Sequence, residues 1–332
     1  MNNYFIVFYT LLFLSAFSAC KNDKKSYYQD NGEIFHTNYN IKYEYSHSLS
    51  KEIRNELNRF DNSLNPFNKE SVIFQINNNI SDVPDSLFIE VFNKSQEVSE
   101  ISGGLFDITC APLINAWGFG FKNMENVTPE QIDSLRNLVG YKKIYIENGK
   151  VVKTDPRVQI NTSAIAKGFS VDIIARLFDS LNIENYMCEI GGEIITKGVN
   201  SKGECWHIGI DKPIDEKIQT QRNLQTILKI CDKAIATSGN YRNFYVKDGK
   251  KYAHTIDPIT GYPSTGNILS TTVVADNCMT ADAYATTFML TGIDRAKEIA
   301  KELELDIYLI YTEDDGSIVA TYSDGFEKYF TE

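Results

Sequence analysis

The chain has no Cys-x-x-Cys pair, no His-Glu-x-x-His, no Gly-x-x-x-x-Gly-Lys-Ser/Thr loop, no Gly-x-Ser-x-Gly elbow and no strand-linked Gly-x-Gly-x-x-Gly. Paired-cysteine zinc sites, zinc-protease helices, P-loop sites, hydrolase elbows and dinucleotide fingerprints are therefore excluded by the absence of their signatures. Histidine is scarce, with four residues at 36, 47, 207 and 254, and none has metal-ligand spacing. Positive charge is also short, 33 Lys and Arg against 44 Asp and Glu, for a formal net charge of −11. Nucleic-acid binding depends on clustered Lys and Arg, so that partner is excluded, and any bound nucleotide would be small with a metal supplying positive charge. No linker, compositional break or internal repeat divides residues 33–332.

The first nineteen residues lack Lys, Arg, Asp and Glu, and Phe5 to Phe17 is almost wholly apolar. That run suits a secretory signal core and is too short for a comfortable membrane span. Phe17-Ser18-Ala19-Cys20, followed by Lys21 to Lys25, looks like a bacterial lipobox. The expectation is a lipoprotein signal peptide over 1–19, lipid on Cys20, a polar tether over 20–31 and one domain over 32–332. The protein would then be anchored to a bacterial membrane and face the periplasm, with a simply secreted chain as the alternative. Five further cysteines, at 110, 188, 205, 231 and 278, are an odd number without paired spacing. They indicate no disulfide framework, a single disulfide among them stays open, and Cys188 and Cys278 read as buried small hydrophobes.

Apolar periodicity predicts a strand over Glu33–Tyr45 and a helix from Leu49 carrying Ile53, Leu57, Phe60 and Leu64, stopped at Asn65-Pro66. A helix over Ser86–Ile101 ends at Gly103-Gly104, and Thr128-Pro129-Glu130-Gln131 starts another, with cap, N1 proline and capping-box Gln, that ends at Gly140. Asn148-Gly149 marks a hairpin, Gly191-Gly192 breaks a strand over Tyr186–Gly198, and strands are expected over Trp206–Asp211 and Thr226–Ile235. Strands at Ile268–Ala275 and Ile307–Tyr311, helices at Met279–Leu290 and Asp294–Leu303, and a hairpin at Asp315-Gly316 complete a mostly antiparallel sheet.

Three stretches carry unusual chemistry. Residues 103–120 are rich in glycine and aromatics, which also suits a plain core. Gln159 to Asp172 passes from hydroxyls into a helix, whose free N–H groups can hold phosphate, with Lys167 in its first turns; taken alone, Lys167 reads as surface. Ala234 to Pro263 joins an Ala236-Thr237-Ser238-Gly239-Asn240 loop, a hairpin at Asp248-Gly249 and a His254-x-x-Asp257-Pro258-x-x-Gly261 loop. On the helix that follows, Asp282 and Thr286 are four apart and share a face, where a hard cation would partner the carboxylate.

ATSGNYR at 236–242 and HTIDPITGYP at 254–263 resemble the paired signatures of FAD:protein FMN transferases, the ApbE family. LNPFNKES at 64–71, GGLFD and PLINAWGFG within 103–120, AIAKG at 164–168, EIGGE at 189–193, WHIGIDKP at 206–213 and ADAYATT at 281–287 look like further family blocks in the same order. The resemblance implies an α+β domain with an antiparallel sheet core flanked by helices. It also implies FAD as bound substrate, Mg²⁺ at its pyrophosphate, and transfer of FMN to a threonine of an acceptor flavoprotein, a subunit of a membrane redox complex. By position, FAD would touch Phe35, Phe67, Leu105, Phe106, Asp107, Asn161, Lys167 and Ile256. Asp282, Thr286 and the Ala164 carbonyl would hold the metal. His254 is the group in its segment able to move a proton near neutral pH, with a structural bond to the Asp257 loop as the alternative. Phe35-His36-Thr37 stands where the family usually has Met-Gly-Thr, Phe67 where Tyr is frequent and Asn161 where Asp is usual. A metal-dependent FAD pyrophosphatase and a non-catalytic FAD carrier are the rival functions.

Overall fold

The computed structural model describes residues 25–119, 127–212, 224–240, 244–247 and 250–331. The signal and lipidation segment with Cys20, Tyr241 and Arg242, and the Asp248-Gly249 turn lie outside the described residues.

The described residues begin with a hairpin where a single strand was expected. Strands β1 (Ser26–Ile34) and β2 (Thr37–Tyr45) pair antiparallel from Ser26↔Tyr45 to Ile34↔Thr37. Their turn is Phe35-His36, with φ of 52° and 59°, the left-handed pair that a type I′ hairpin turn requires. No Asn-Gly or Asp-Gly marks this turn, so periodicity alone missed it. The expected tether is corrected as well, because residues 26–31 are strand, with the Tyr27 hydroxyl donating to the Val199 carbonyl at 2.8 Å.

Helices α1 (Ser50–Leu64), α2 (Val72–Asn77) and α3 (Ser86–Ile101) follow. In α1 the predicted Ile53, Leu57, Phe60 and Leu64 are all buried, each side chain contributing roughly 1.5–3 kcal/mol of hydrophobic burial. Next come α4 (Ala111–Ala116), α5 (Pro129–Arg136), and the hairpin of β3 (Ile144–Glu147) and β4 (Lys150–Lys153). Helix α5 has the full predicted capping box but stops at Arg136 rather than at Gly140, which opens the following turn with φ 146°.

Helix α6 (Ala166–Ser180) leads into β5 (Tyr186–Ile190) and β6 (Glu193–Lys197), paired about the Gly191-Gly192 turn. Then come β7 (Trp206–Asp211), β8 (Leu224–Ile230), β9 (Ala234–Gly239), β10 (Phe244–Lys247) and β11 (Lys250–Ala253). Strand β12 (Ile268–Ala275), helices α7 (Cys278–Thr291) and α8 (Ile293–Glu302), β13 (Asp306–Thr312) and β14 (Ile318–Tyr322) complete the order.

Eight strands form one antiparallel sheet in the order β1-β2-β5-β6-β9-β12-β13-β14. Strand β7 pairs with β8 in a separate two-stranded sheet, which corrects their expected place in the main one. The predicted strand Thr226–Ile235 splits for the same reason: β8 ends at Ile230, Asp232 turns the chain at φ 54°, and β9 starts at Ala234. Alternation along the strands separates two faces. Ala236, Val273, Ile307 and Leu309 join the helix-side core with Phe169, Tyr284 and Phe288. Their neighbours Ile235, Val274, Tyr308 and Ile310 pack against Trp206, Ile208, Leu228 and Phe326 on the other side. Cys205 and Cys231 form a disulfide that closes the β7–β8 ribbon, at positions the Trp206↔Ile230 register brings together. Cys110, Cys188 and Cys278 are buried free thiols.

Candidate active-site cleft

Helices α6 and α7 are tied to each other by two carboxylates that cross in opposite directions. Asp172 of α6 accepts the N–H groups of Cys278 and Met279 at 2.7 and 2.8 Å, satisfying donors that the first turn of α7 leaves free. Burial pushes the Asp172 carboxyl up to about 6, against the pull of those two bonds. In return Asp282 of α7 accepts the Gly168 N–H at 2.9 Å through Oδ2. Gly168 permits the approach, since a Cβ there would stand 2.2 Å from the Cys278 carbonyl oxygen and 2.7 Å from Asp282 Cβ.

This crossing forms one wall of a cleft of about 650 Å³. The cleft gathers Leu105, Phe106, Asp107, Asn161, Ala164, Lys167, His254, Ile256, Asp282 and Thr286, all singled out from the sequence. Leu105 and Phe106 reach it because Gly103 and Gly104, at φ 64° and 88°, turn the chain sharply after α3. Asp107 Oδ1 accepts the Thr109 N–H at 2.7 Å and its hydroxyl at 2.6 Å, and burial raises its pKa against those bonds. Asn161 Oδ1 accepts the Ser163 N–H at 2.9 Å, shaping the turn that delivers Ala164 and α6.

The His-x-x-Asp-Pro loop is braced from within. Asp257 Oδ1 accepts the N–H of Ile259 at 2.8 Å, Gly261 turns at φ 81°, and the Trp117 indole donates to the Gly261 carbonyl at 2.8 Å. His254 meets the Phe119 ring edge-on at 6.4 Å between centroids.

Phe35 and Phe67 do not line the cleft. Phe35 packs on Phe60 with centroids 4.9 Å apart, and Phe67 is 57% exposed and meets the His36 ring edge-on at 5.6 Å. The Phe35-His36 turn borders the rim, because Thr37 lies 3.1 Å from where a Gly191 Cβ would stand. His36 takes a left-handed φ of 59°, a conformation that glycine adopts most readily.

Lys167 is not the surface lysine it reads as alone. Its ammonium donates to Glu193 Oε1 and stands 3.8 Å from Asp282 Oδ1. Burial alone would lower its pKa, but Asp282 and Glu193 outweigh burial and hold it above the lysine range. Sequence reasoning missed Glu193, and period-2 alternation offered the signal: Glu193 shares a face with Ile195, which packs against a second buried cluster that includes Ile41, Ile174, Phe178 and Cys188.

Among the described residues no group of three or more His, Cys, Asp or Glu could hold a metal. The donor set nevertheless fits Mg²⁺, which is bound through one or two carboxylates together with substrate phosphates. Asp282 is 2% exposed, and with Oδ2 committed to Gly168, its Oδ1 is beyond hydrogen-bonding distance of Lys167. The Thr286 hydroxyl is held beside it by the Ser238 hydroxyl at 3.1 Å, and Ala164 lines the same cleft.

Comparison with known proteins agrees with this geometry. The ApbE family model matches residues 35–309. A FAD:protein FMN transferase of Vibrio cholerae is 35% identical over 327 residues, covering 95% of this chain and 96% of that protein. One of Escherichia coli is 32% identical over 279 residues, covering 81% and 78%. The structure of the V. cholerae flavin transferase ApbE superposes with a TM-score of 0.82 at 32% identity, over 92% of this chain and all of that one. The apo flavinyl transferase of Pseudomonas stutzeri gives 0.81 at 25% identity, over 92% and 97%. A family match across most of the chain, relatives above 30% identity and a cleft assembled from the family's own blocks lead to one conclusion: this chain belongs to the ApbE family.

Proposed function

We propose that this chain transfers FMN from FAD to a protein, with a threonine hydroxyl as acceptor and AMP as the leaving group. The acceptor oxygen bonds to the phosphorus bearing riboflavin, the bridging bond to the AMP phosphate breaks, and AMP departs with the bridging oxygen. The observation that carries this reading is the cleft floor, where Asp282, Thr286 and Lys167 converge beside the N-terminus of α6. In-line displacement at a pyrophosphate asks for positioned oxygens and neutralised charge, and little covalent chemistry from the protein.

Asp282, Thr286 and the Ala164 carbonyl would hold Mg²⁺, which when bound neutralises pyrophosphate charge. Lys167 meets the same anion as a cation. Leu105, Phe106 and Ile256 give the flavin and adenine apolar walls, and Asp107 and Asn161 add polar contacts. His254 takes the proton from the threonine hydroxyl. Phe35 and Phe67, outside the cleft wall, would meet FAD only at the rim. Mixing protein, FAD, Mg²⁺ and an acceptor flavoprotein is expected to release AMP, EDTA to stop it and added Mg²⁺ to restore it; AMP release undiminished by EDTA would defeat the metal reading.

The acceptor we propose is a flavoprotein subunit of a membrane redox complex, reached by an enzyme anchored through lipid on Cys20 and facing the periplasm. The Cys205–Cys231 disulfide supports this placement, because disulfides persist in oxidising compartments. Cys20→Ala should shed a lipid mass from the N-terminal peptide, and identical lipid-free peptides from both proteins would contradict the anchor.

A further inference from the structure

Glu193 is the first residue of β6, directly after the Gly191-Gly192 turn, and its side chain is 5% exposed. Oε1 accepts from the Lys167 ammonium, while Oε2 is buried with no hydrogen-bond partner. A buried carboxylate with one oxygen unsatisfied is costly, so its placement calls for a reason beyond packing. That reason lies in how Lys167 divides itself between two acids. Its hydrogen bond goes to Glu193, and Asp282 Oδ1 is left 3.8 Å away. The other Asp282 oxygen is occupied by the Gly168 N–H. Oδ1 is thus the carboxylate oxygen on the cleft floor that a cation can take, provided that the ammonium does not close on it first.

We infer that Glu193 is a positioning residue that draws Lys167 off Asp282, so that a lysine and a divalent cation share one pyrophosphate site. This rests on the reading of the cleft as an FAD and Mg²⁺ site. Without the Glu193 charge, Lys167 keeps one acid within reach and pairs with Asp282 directly. A cation must then displace the ammonium before it binds. Shape is not the issue, because Gln has the size of Glu; the charge on Oε1 is what holds the lysine back.

The test reads FAD binding, by flavin fluorescence, across a Mg²⁺ titration of the full chain. Glu193→Gln is expected to raise the Mg²⁺ concentration at half-effect by about tenfold, on the scale of a lost charge-assisted hydrogen bond. Glu193→Asp, which keeps the charge on a shorter stem, should recover part of that. In a Lys167→Met background the same Glu193→Gln change should do nothing further, because no ammonium remains to be held back. Unfolding midpoints of the wild type and all four variants separate misfolding from mispositioning, and the comparison within the Lys167→Met background holds even where Glu193→Gln alone is poorly folded. Equal shifts in both backgrounds, or a wild-type curve for Glu193→Gln, would overturn the inference. Wild-type protein that binds no FAD at any Mg²⁺ concentration would overturn the reading of the cleft, and the inference with it. Binding of FAD that ignores Mg²⁺ would do the same for the cation's share.

Discussion

Asp282→Ala is expected to lower FMN transfer and AMP release by on the order of a hundredfold or more, the scale on which losing a preorganised charge-stabilising group slows catalysis. The residue supplies the one formal charge among the three proposed metal oxygens, and its Oδ1 lies 3.8 Å from the Lys167 ammonium, an ion pair beyond hydrogen-bonding distance. FAD should still bind, more weakly, since the contacts at Leu105, Phe106 and Ile256 survive. Thr286→Ala should cost less, because it removes a neutral oxygen that Ser238 holds in place at 3.1 Å. Asp282 also secures Gly168, so Asp282→Asn is the informative companion. It can keep the acceptor for that N–H while losing the charge, and it should fall in activity as far as Ala with a smaller drop in unfolding midpoint. Wild-type turnover of FAD by either variant in the same Mg²⁺ would remove Asp282 from the mechanism.

Gly168→Ala should be about as damaging by another route. The added methyl would stand 2.2 Å from a backbone oxygen of α7, where no flexible side chain can swing aside. Helices α6 and α7 must separate, which costs about 3 kcal/mol or more, at the upper end of overpacking penalties. Separation also strains the Asp172 bonds to Cys278 and Met279 and moves Lys167 relative to Asp282. Thermal unfolding and FAD binding should therefore both deteriorate in this variant. A Gly168→Ala protein with wild-type midpoint and wild-type transfer would show that the helices can absorb the methyl, contrary to the tight crossing described above.

Much of this architecture could be read from the chain wherever the local signal was also the structural cause. The Thr128 capping box, the Asn148-Gly149 hairpin and the apolar stripe of α1 are local devices, and each appears where it was expected. The β1–β2 turn escaped because Phe35 and His36 take left-handed φ without the usual glycine or asparagine. Asp232 hid the break between β8 and β9 in the same way. The Cys205–Cys231 disulfide depends on strand register, which residue spacing does not reveal. The cleft brings together the residues known by type and motif apart from Phe35 and Phe67, whereas Glu193 was not singled out. Its role depends on a lysine 26 positions earlier, and only the packing of α6 on the start of β6 brings the two into contact. Lys167 was misjudged alone for the same reason.

One reaction separates transferase from hydrolase and from carrier: purified protein, FAD, Mg²⁺ and a candidate acceptor flavoprotein, with the intact acceptor weighed before and after. The acceptor is expected to gain the mass of one FMN less water, on a threonine, with one AMP released for each modified chain. Free FMN and AMP in equal amounts beside an acceptor of unchanged mass would contradict transfer and leave an FAD pyrophosphatase in its place.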